Sequence, residues 1–168
     1  MRTLTLLALL LLLALPGAGQ AQQKQVDGLA IVNDDGTLAI GGTRIRLYGI
    51  TIPKLGILCI DDARGRTCSD FNVKRMLERK ITGFVHCQIV RQASDGVAEG
   101  ICTIEGRDRF RPRQDLGAWL VNEGMAIALR YAPPEYEALQ AVAQAREVGV
   151  WSGLLVPELN DWGDDSRF

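Results

Sequence analysis

Most of what a nucleotide-handling or metal-dependent enzyme needs is scarce in this chain of 168 residues. It has a single histidine, His86, and no C-x-x-C pair among its four cysteines, so the usual zinc-ligand spacings are absent. No Gly-rich phosphate loop and no Ser-His-Asp arrangement can be found. A charge excess is missing too: 19 Lys and Arg stand against 20 Asp and Glu, a net charge of −1. Proteins that live on phosphate contacts present a strongly basic face, so any such contact here has to come from a local patch. Aromatic residues make up only 6% of the chain. Past the N-terminus there is no apolar run long enough to cross a bilayer.

The one long apolar run is at the start. Arg2 supplies a short positive region, Leu4 to Leu15 an apolar core, and Ala18-Gly19-Gln20-Ala21 a small-residue cleavage site. The reading is a signal peptide over 1–21, cut after Ala21, and an exported protein, periplasmic or secreted. No cysteine follows closely, which argues against a lipid anchor. What remains is one domain's worth of chain over 22–156, followed by a flexible acidic tail over 157–168. An even number of cysteines in an exported chain reads as disulfides. Three pairings are formally possible. The expected ones are Cys59–Cys68, closing a short loop, and Cys87–Cys102, joining neighbouring strands.

Short β-type segments are separated by turn dipeptides. Val26–Val32 is apolar enough for a first strand, and Asn33-Asp34-Asp35-Gly36 reads as a turn. Thr37–Ile40 and Arg44–Ile50 flank Gly41-Gly42 as a hairpin. In the second of these, Ile45, Leu47 and Gly49 are expected on one face, and Arg44, Arg46, Tyr48 and Ile50 on the other. Leu55 to Thr67 reads as a surface loop. A helix capped by Ser69 or Asp70 runs to about Lys80, with Val73, Met76 and Leu77 on one face. Phe84–Arg91 and Val97–Ile104 are two more strands around a Ser94-Asp95-Gly96 turn. Asp115 caps a helix over Leu116–Glu123 stopped by Gly124, and Pro133-Pro134 opens a last helix over Glu135–Val148. Tyr136, Leu139 and Ala143 form its stripe toward the core, and Trp119 and Trp151 read as core residues as well. The fold class is therefore α+β, rich in β: a five-stranded barrel of the OB type with about three helices.

The run DGTLAIGGTRIRLYGITIPK resembles the signature of the staphylococcal nuclease family, the thermonucleases, which reads roughly D-G-D-T-L, a short gap, then R-L-x-G-I-D-x-P-E. The likeness continues in DLGAWLVNEGMA and AQAREVGVW, and covers nearly everything after the leader. It implies the same OB-type barrel, and exported members of the family often carry cysteines at similar places. It also implies a chemistry: two aspartates bind one Ca²⁺, a glutamate activates water, and two arginines hold the phosphate. Hard oxygen ligands suit a hard cation, and the arginines stabilise charge on the pentacovalent phosphorus.

Carried over position by position, most of those roles fall on unsuitable residues. The second aspartate of D-G-D-T falls on Gly36, the aspartate of G-I-D-x-P on Thr51, and the glutamate after the proline on Lys54. The first arginine is kept as Arg46. The second, in a D-x-Y-G-R motif, falls on Glu99 within Asp95-Gly96-Val97-Ala98-Glu99. Losing one such group commonly costs two or more orders of magnitude in rate, so the expectation is an inactive nuclease homologue without a cofactor. Asp34 or Asp35 could bind Ca²⁺ only if the turn were rearranged, and an active nuclease with such a displaced site is the alternative.

A further clue is the basic stretch before DLGAWLV. Arg107, Arg109, Arg111 and Arg113 with Phe110 make a compact cluster, suited to a phosphate backbone or an acidic partner. The plainer reading is a solvated loop whose charges meet Glu105, Asp108 and Asp115. His86 reads as a structural strand residue with no carboxylate motif near it in sequence. Tyr48, Tyr131 and Tyr136 read as rim or core packing. The expected role is a binding module for single-stranded nucleic acid, another polyanion or a protein. A purely structural envelope protein is a third possibility.

Overall fold

A computed structural model describes residues 24–53, 72–106 and 112–152. Strand β1 (Gln25–Val32) pairs antiparallel with β2 (Leu38–Ile40), which pairs antiparallel with β3 (Thr43–Leu47). A short β4 (Ile50–Thr51) and helix α1 (Val73–Lys80) precede the long hairpin of β5 (Phe84–Gln92) and β6 (Ala98–Ile104). β5 pairs back onto β1, and β3 lies parallel to β6, so β1, β2, β3, β6 and β5 close into a five-stranded mixed barrel. β7 (Gln114–Asp115) pairs antiparallel with the end of β6 and leads into α2 (Leu116–Asn122). Then come β8 (Ile127–Ala128), which pairs with β4, helix α3 (Pro134–Ala145) and a single 3₁₀ turn (Gly149–Trp151). The architecture is α+β, β-rich and OB-like, with three helices.

The barrel closes because each strand alternates apolar residues inward. Leu38 and Ile40, Ile45 and Leu47, and Val85, Cys87 and Ile89 are all buried, as are Cys102 and Ile104 across from them. Cys87 and Cys102 are register partners and form a disulfide inside the barrel wall. Val73 and Leu77 turn the inner face of α1 to this core, with Met76 packed at its margin. Leu116, Leu120 and Val121 of α2 complete it, held beneath Tyr136 of α3.

Local chemistry moves three boundaries. The cap of α1 is Asn72, whose side chain accepts from the Arg75 amide at 3.0 Å; Ser69 and Asp70 lie outside the described residues. β3 ends at Leu47 rather than Ile50. Gly49 adopts φ +75°, a left-handed conformation open to glycine, and its bare Cα lets the chain pass close against Ala132 and Pro133. That turn reverses the alternation, so Ile50 is buried instead of lying on the face of Arg44 and Arg46. α3 stops at Ala145, three residues short of Val148, because Glu147 takes φ +50° and Gly149 φ +59°. The chain then packs its Gly149 against Gly124, with Val150 N–H donating to the Gly124 carbonyl at 2.8 Å.

The leader, the Leu55–Thr67 loop, Cys59 and Cys68, and the tail all lie outside the described residues. Among the described residues no helix is long and apolar enough to cross a membrane. The Cys87–Cys102 bridge is compatible with an exported protein.

Candidate functional site

Two hairpin turns of the same design stand beside β3. In each, an Asp-Gly pair closes the loop. Gly36 N–H donates to Asn33 and Gly96 N–H to Ala93, both at 3.0 Å, with the glycines at φ +78° and +77°. The aspartate side chain then accepts from the amide two residues on: Asp35 from Thr37 at 3.1 Å and Asp95 from Val97 at 3.0 Å. Each aspartate also holds one arginine of β3. Arg44 Nη2 donates to Asp35 Oδ2 at 2.6 Å, and Arg46 Nη2 to Asp95 Oδ2 at 2.8 Å. Burial disfavours the Asp35 carboxylate, but its bonds from Thr37 and Arg44 outweigh this and hold its pKa below the ordinary value. Arg46 does the same for Asp95.

Glu99 completes the cluster. It is the register partner of Arg46 across the parallel β3–β6 junction, and it is buried. Its Oε1 lies 3.4 Å from Arg46 Nη1, and its Oε2 accepts from Arg91 Nε at 2.7 Å. Arg91 reaches this position through a bulge. Ile89 faces Gly100 but Arg91 faces Glu99, so Val90 is the extra residue that re-aims the strand. Arg91 also donates to the Tyr131 hydroxyl at 2.9 Å and lies 4.6 Å from that ring's centroid, with Tyr48 stacked at an angle beside Tyr131. Sequence reading found neither Arg91 nor the fate of Asp95, since both depend on a bulge and on strand closure.

The remaining candidate positions are dispersed. Gly36, where the resemblance would put a metal-binding aspartate, is buried, and a Cβ there would meet the end of the Ile52 side chain. Thr51 sits in β4 opposite Ile127. Asp34 is exposed and paired with Lys74 at 2.8 Å. Asp34 and Asp35 are thus committed to other cations, Lys74 and Arg44, and neither pairs with Arg46. Among the described residues, no three His, Cys, Asp or Glu side chains converge as a metal site would require. Arg113 is bound to Glu105, with Nε and Nη2 each 3.1 Å from Oε1. Lys54, Arg107, Arg109, Phe110 and Arg111 lie outside the described residues.

No protein-family model and no curated protein matches the chain.

Two further groups emerge only in three dimensions. His86 has carboxylates on both ring nitrogens, Asp27 Oδ1 at 3.0 Å from Nδ1 and Glu105 Oε1 at 3.2 Å from Nε2. They come from β1 and from just past β6, which is why no local motif announces them. Asp115, the cap of α2, accepts from the Gly117 and Ala118 amides at 2.7 and 3.1 Å and from the Tyr136 hydroxyl at 2.9 Å. Burial raises its pKa against the pull of these bonds, and burial together with the Asp115 charge raises that of Tyr136. A Cβ on Gly117 would crowd the Tyr136 hydroxyl, so the glycine is what admits this strut. The Asp115–Tyr136 contact therefore joins α2 to α3 and is structural.

Proposed function

We propose that this chain is an exported barrel of the staphylococcal nuclease type that has lost calcium-dependent phosphodiester hydrolysis and serves as a binding domain for a protein partner. The observation that carries the reading is Glu99, buried between Arg46 and Arg91. A phosphate would have to displace Glu99 and Asp95 from Arg46, and the buried carboxylate would still repel it. A metal would find Gly36 packed against Ile52, with Asp34 and Asp35 bound to other cations. Arg46 and Arg113, the two candidate phosphate contacts among the described residues, both have carboxylate partners, which favours a protein over a polyanion. The deciding experiment incubates the mature protein with single- and double-stranded DNA and RNA, in Ca²⁺ and in chelator, beside an Arg46→Ala control. Cleavage no greater than the control's is expected. Calcium-dependent cleavage abolished by Arg46→Ala would overturn the reading.

A further inference from the structure

On the outer wall of the barrel, away from the Arg46–Glu99 cluster, three large apolar side chains stand open to solvent: Leu29 at 69%, Ile31 at 71% and Phe84 at 59% exposure. They are neighbours by construction. Leu29 and Phe84 are register partners across β1 and β5, and Ile31 lies two residues along on the same face. A contiguous apolar strip of this kind on a polar surface marks a place where another molecule sits.

Phe84 also forms one wall of a cleft of about 660 Å³ at the C-terminal end of α1, bordered by Arg79, Lys80, His86, Glu105 and Gln114. Two cations border it. Arg79 contacts only the Met76 sulfur, at 2.9 Å, and Lys80 lies over the Trp119 ring at 4.9 Å; neither meets a carboxylate among the described residues. Arg44, Arg46, Lys74, Arg91 and Arg113 are each paired with one. The apolar strip and these two cations thus meet at Phe84, with the Glu105 carboxylate on the far border of the cleft.

We infer that this face docks an acidic peptide segment of a partner protein, with large apolar side chains on Leu29, Ile31 and Phe84 and carboxylates at Arg79 and Lys80. The inference rests on the reading of the chain as a protein-binding domain. A nucleic acid fits less well, because Leu29 and Ile31 give no plane for base stacking. Charge at the rim guides the encounter, and the aromatic anchor in its pocket supplies most of the retention.

The test is fluorescence anisotropy of the mature protein with a fluorescein-labelled peptide of alternating Glu and Leu carrying one central Phe. A length of about 12 residues spans the strip at about 3.3 Å per residue. Comparison probes replace Glu by Lys, replace Leu and Phe by Ser, or substitute an oligothymidine of equal length. Selective binding of the first peptide is expected, weakened about tenfold or more by Phe84→Ser and by the double change Arg79→Glu, Lys80→Glu. Peptide-induced shifts of the Leu29 and Ile31 methyl resonances in the unaltered protein are expected alongside, a reading that does not depend on any variant folding. No binding, equal binding of the lysine or serine peptide, tighter binding of oligothymidine, or shifts confined to other faces would overturn the inference. Calcium-dependent cleavage by the same preparation would instead overturn the non-catalytic reading. Absence of both cleavage and selective peptide binding removes the docking face alone.

Discussion

Arg46 and Glu99 face each other as register partners where β3 and β6 close the barrel in parallel, guanidinium to carboxylate at 3.4 Å. The resemblance would assign the first to phosphate and would place a second phosphate arginine where Glu99 stands. The barrel seam that would gather two cations around a phosphate instead holds an internal ion-pair chain, Asp95–Arg46–Glu99–Arg91, ending on Tyr131.

Removing the charge of Glu99 should therefore free the cations without creating a catalyst. Glu99→Gln is expected to bind oligothymidine about 3- to 10-fold more tightly than the unaltered chain at low salt, with the gain lost as salt rises. It should still show no calcium-dependent cleavage. Glu99→Ala should lower stability by about 1–2 kcal/mol in urea titrations. The figure sits below that for a fully buried pair because Arg46 and Arg91 are about half open to water and can be rehydrated.

Acid should weaken the fold through the two Asp-Gly turns. The pKa values of Asp35 and Asp95 lie below the ordinary aspartate value of 3.8. Their contribution is complete above that value and is lost as pH falls through their lowered folded values. Asp115, raised by burial, acts in the opposite sense: its contribution is present below 3.8 and is lost as pH rises through its raised value. Urea midpoints measured from about pH 6 down to about pH 2 should fall at the acid end. Asp95→Asn should flatten that limb, and Asp115→Asn should steepen it.

Restoring a carboxylate at Gly36 should not restore a metal site. Gly36 holds φ +78°, and its missing Cβ is where Ile52 packs. Gly36→Asp is expected to cost about 1 kcal/mol from the left-handed backbone, with Ile52 Cδ1 having to move aside. Pairing it with Ile52→Ala should relieve only the overlap. Calorimetric titration with Ca²⁺ should show no binding by either variant.

The Cys87–Cys102 bridge ties two strands 15 residues apart in sequence, with both half-cystines fully buried. On loop-closure grounds, the double change Cys87→Ala, Cys102→Ala should lower unfolding free energy by about 3 kcal/mol, read by urea titration under non-reducing conditions. In the native chain neither sulfur should react with iodoacetamide.

Much of the barrel could be read in advance because its signals are local. Alternation in Val26–Val32 and Val97–Ile104, the Asp-Gly turns, the Asp115 cap and the Pro133-Pro134 start each depend on a few adjacent residues. The errors fall where a distant contact decides. β3 ends early because Gly49 must pass Ala132, and α3 ends early because Gly149 must meet Gly124. His86 looked isolated because its two carboxylates approach from other strands.

By itself the sequence determined which residue types stand at the places where the resemblance expects carboxylates and arginines, namely Gly36, Thr51, Lys54 and Glu99. Side-chain chemistry is fixed by the residue, wherever it folds. Only the tertiary structure decided what the replacements do instead. Whether Glu99 is a stray acid or the centre of a paired network depends on the β3–β6 register and on the one-residue bulge in β5. Whether Arg79 and Lys80 are compensated depends on which carboxylates the closed barrel brings near them. Ion pairs act over a few ångströms, and it is the fold that sets those separations.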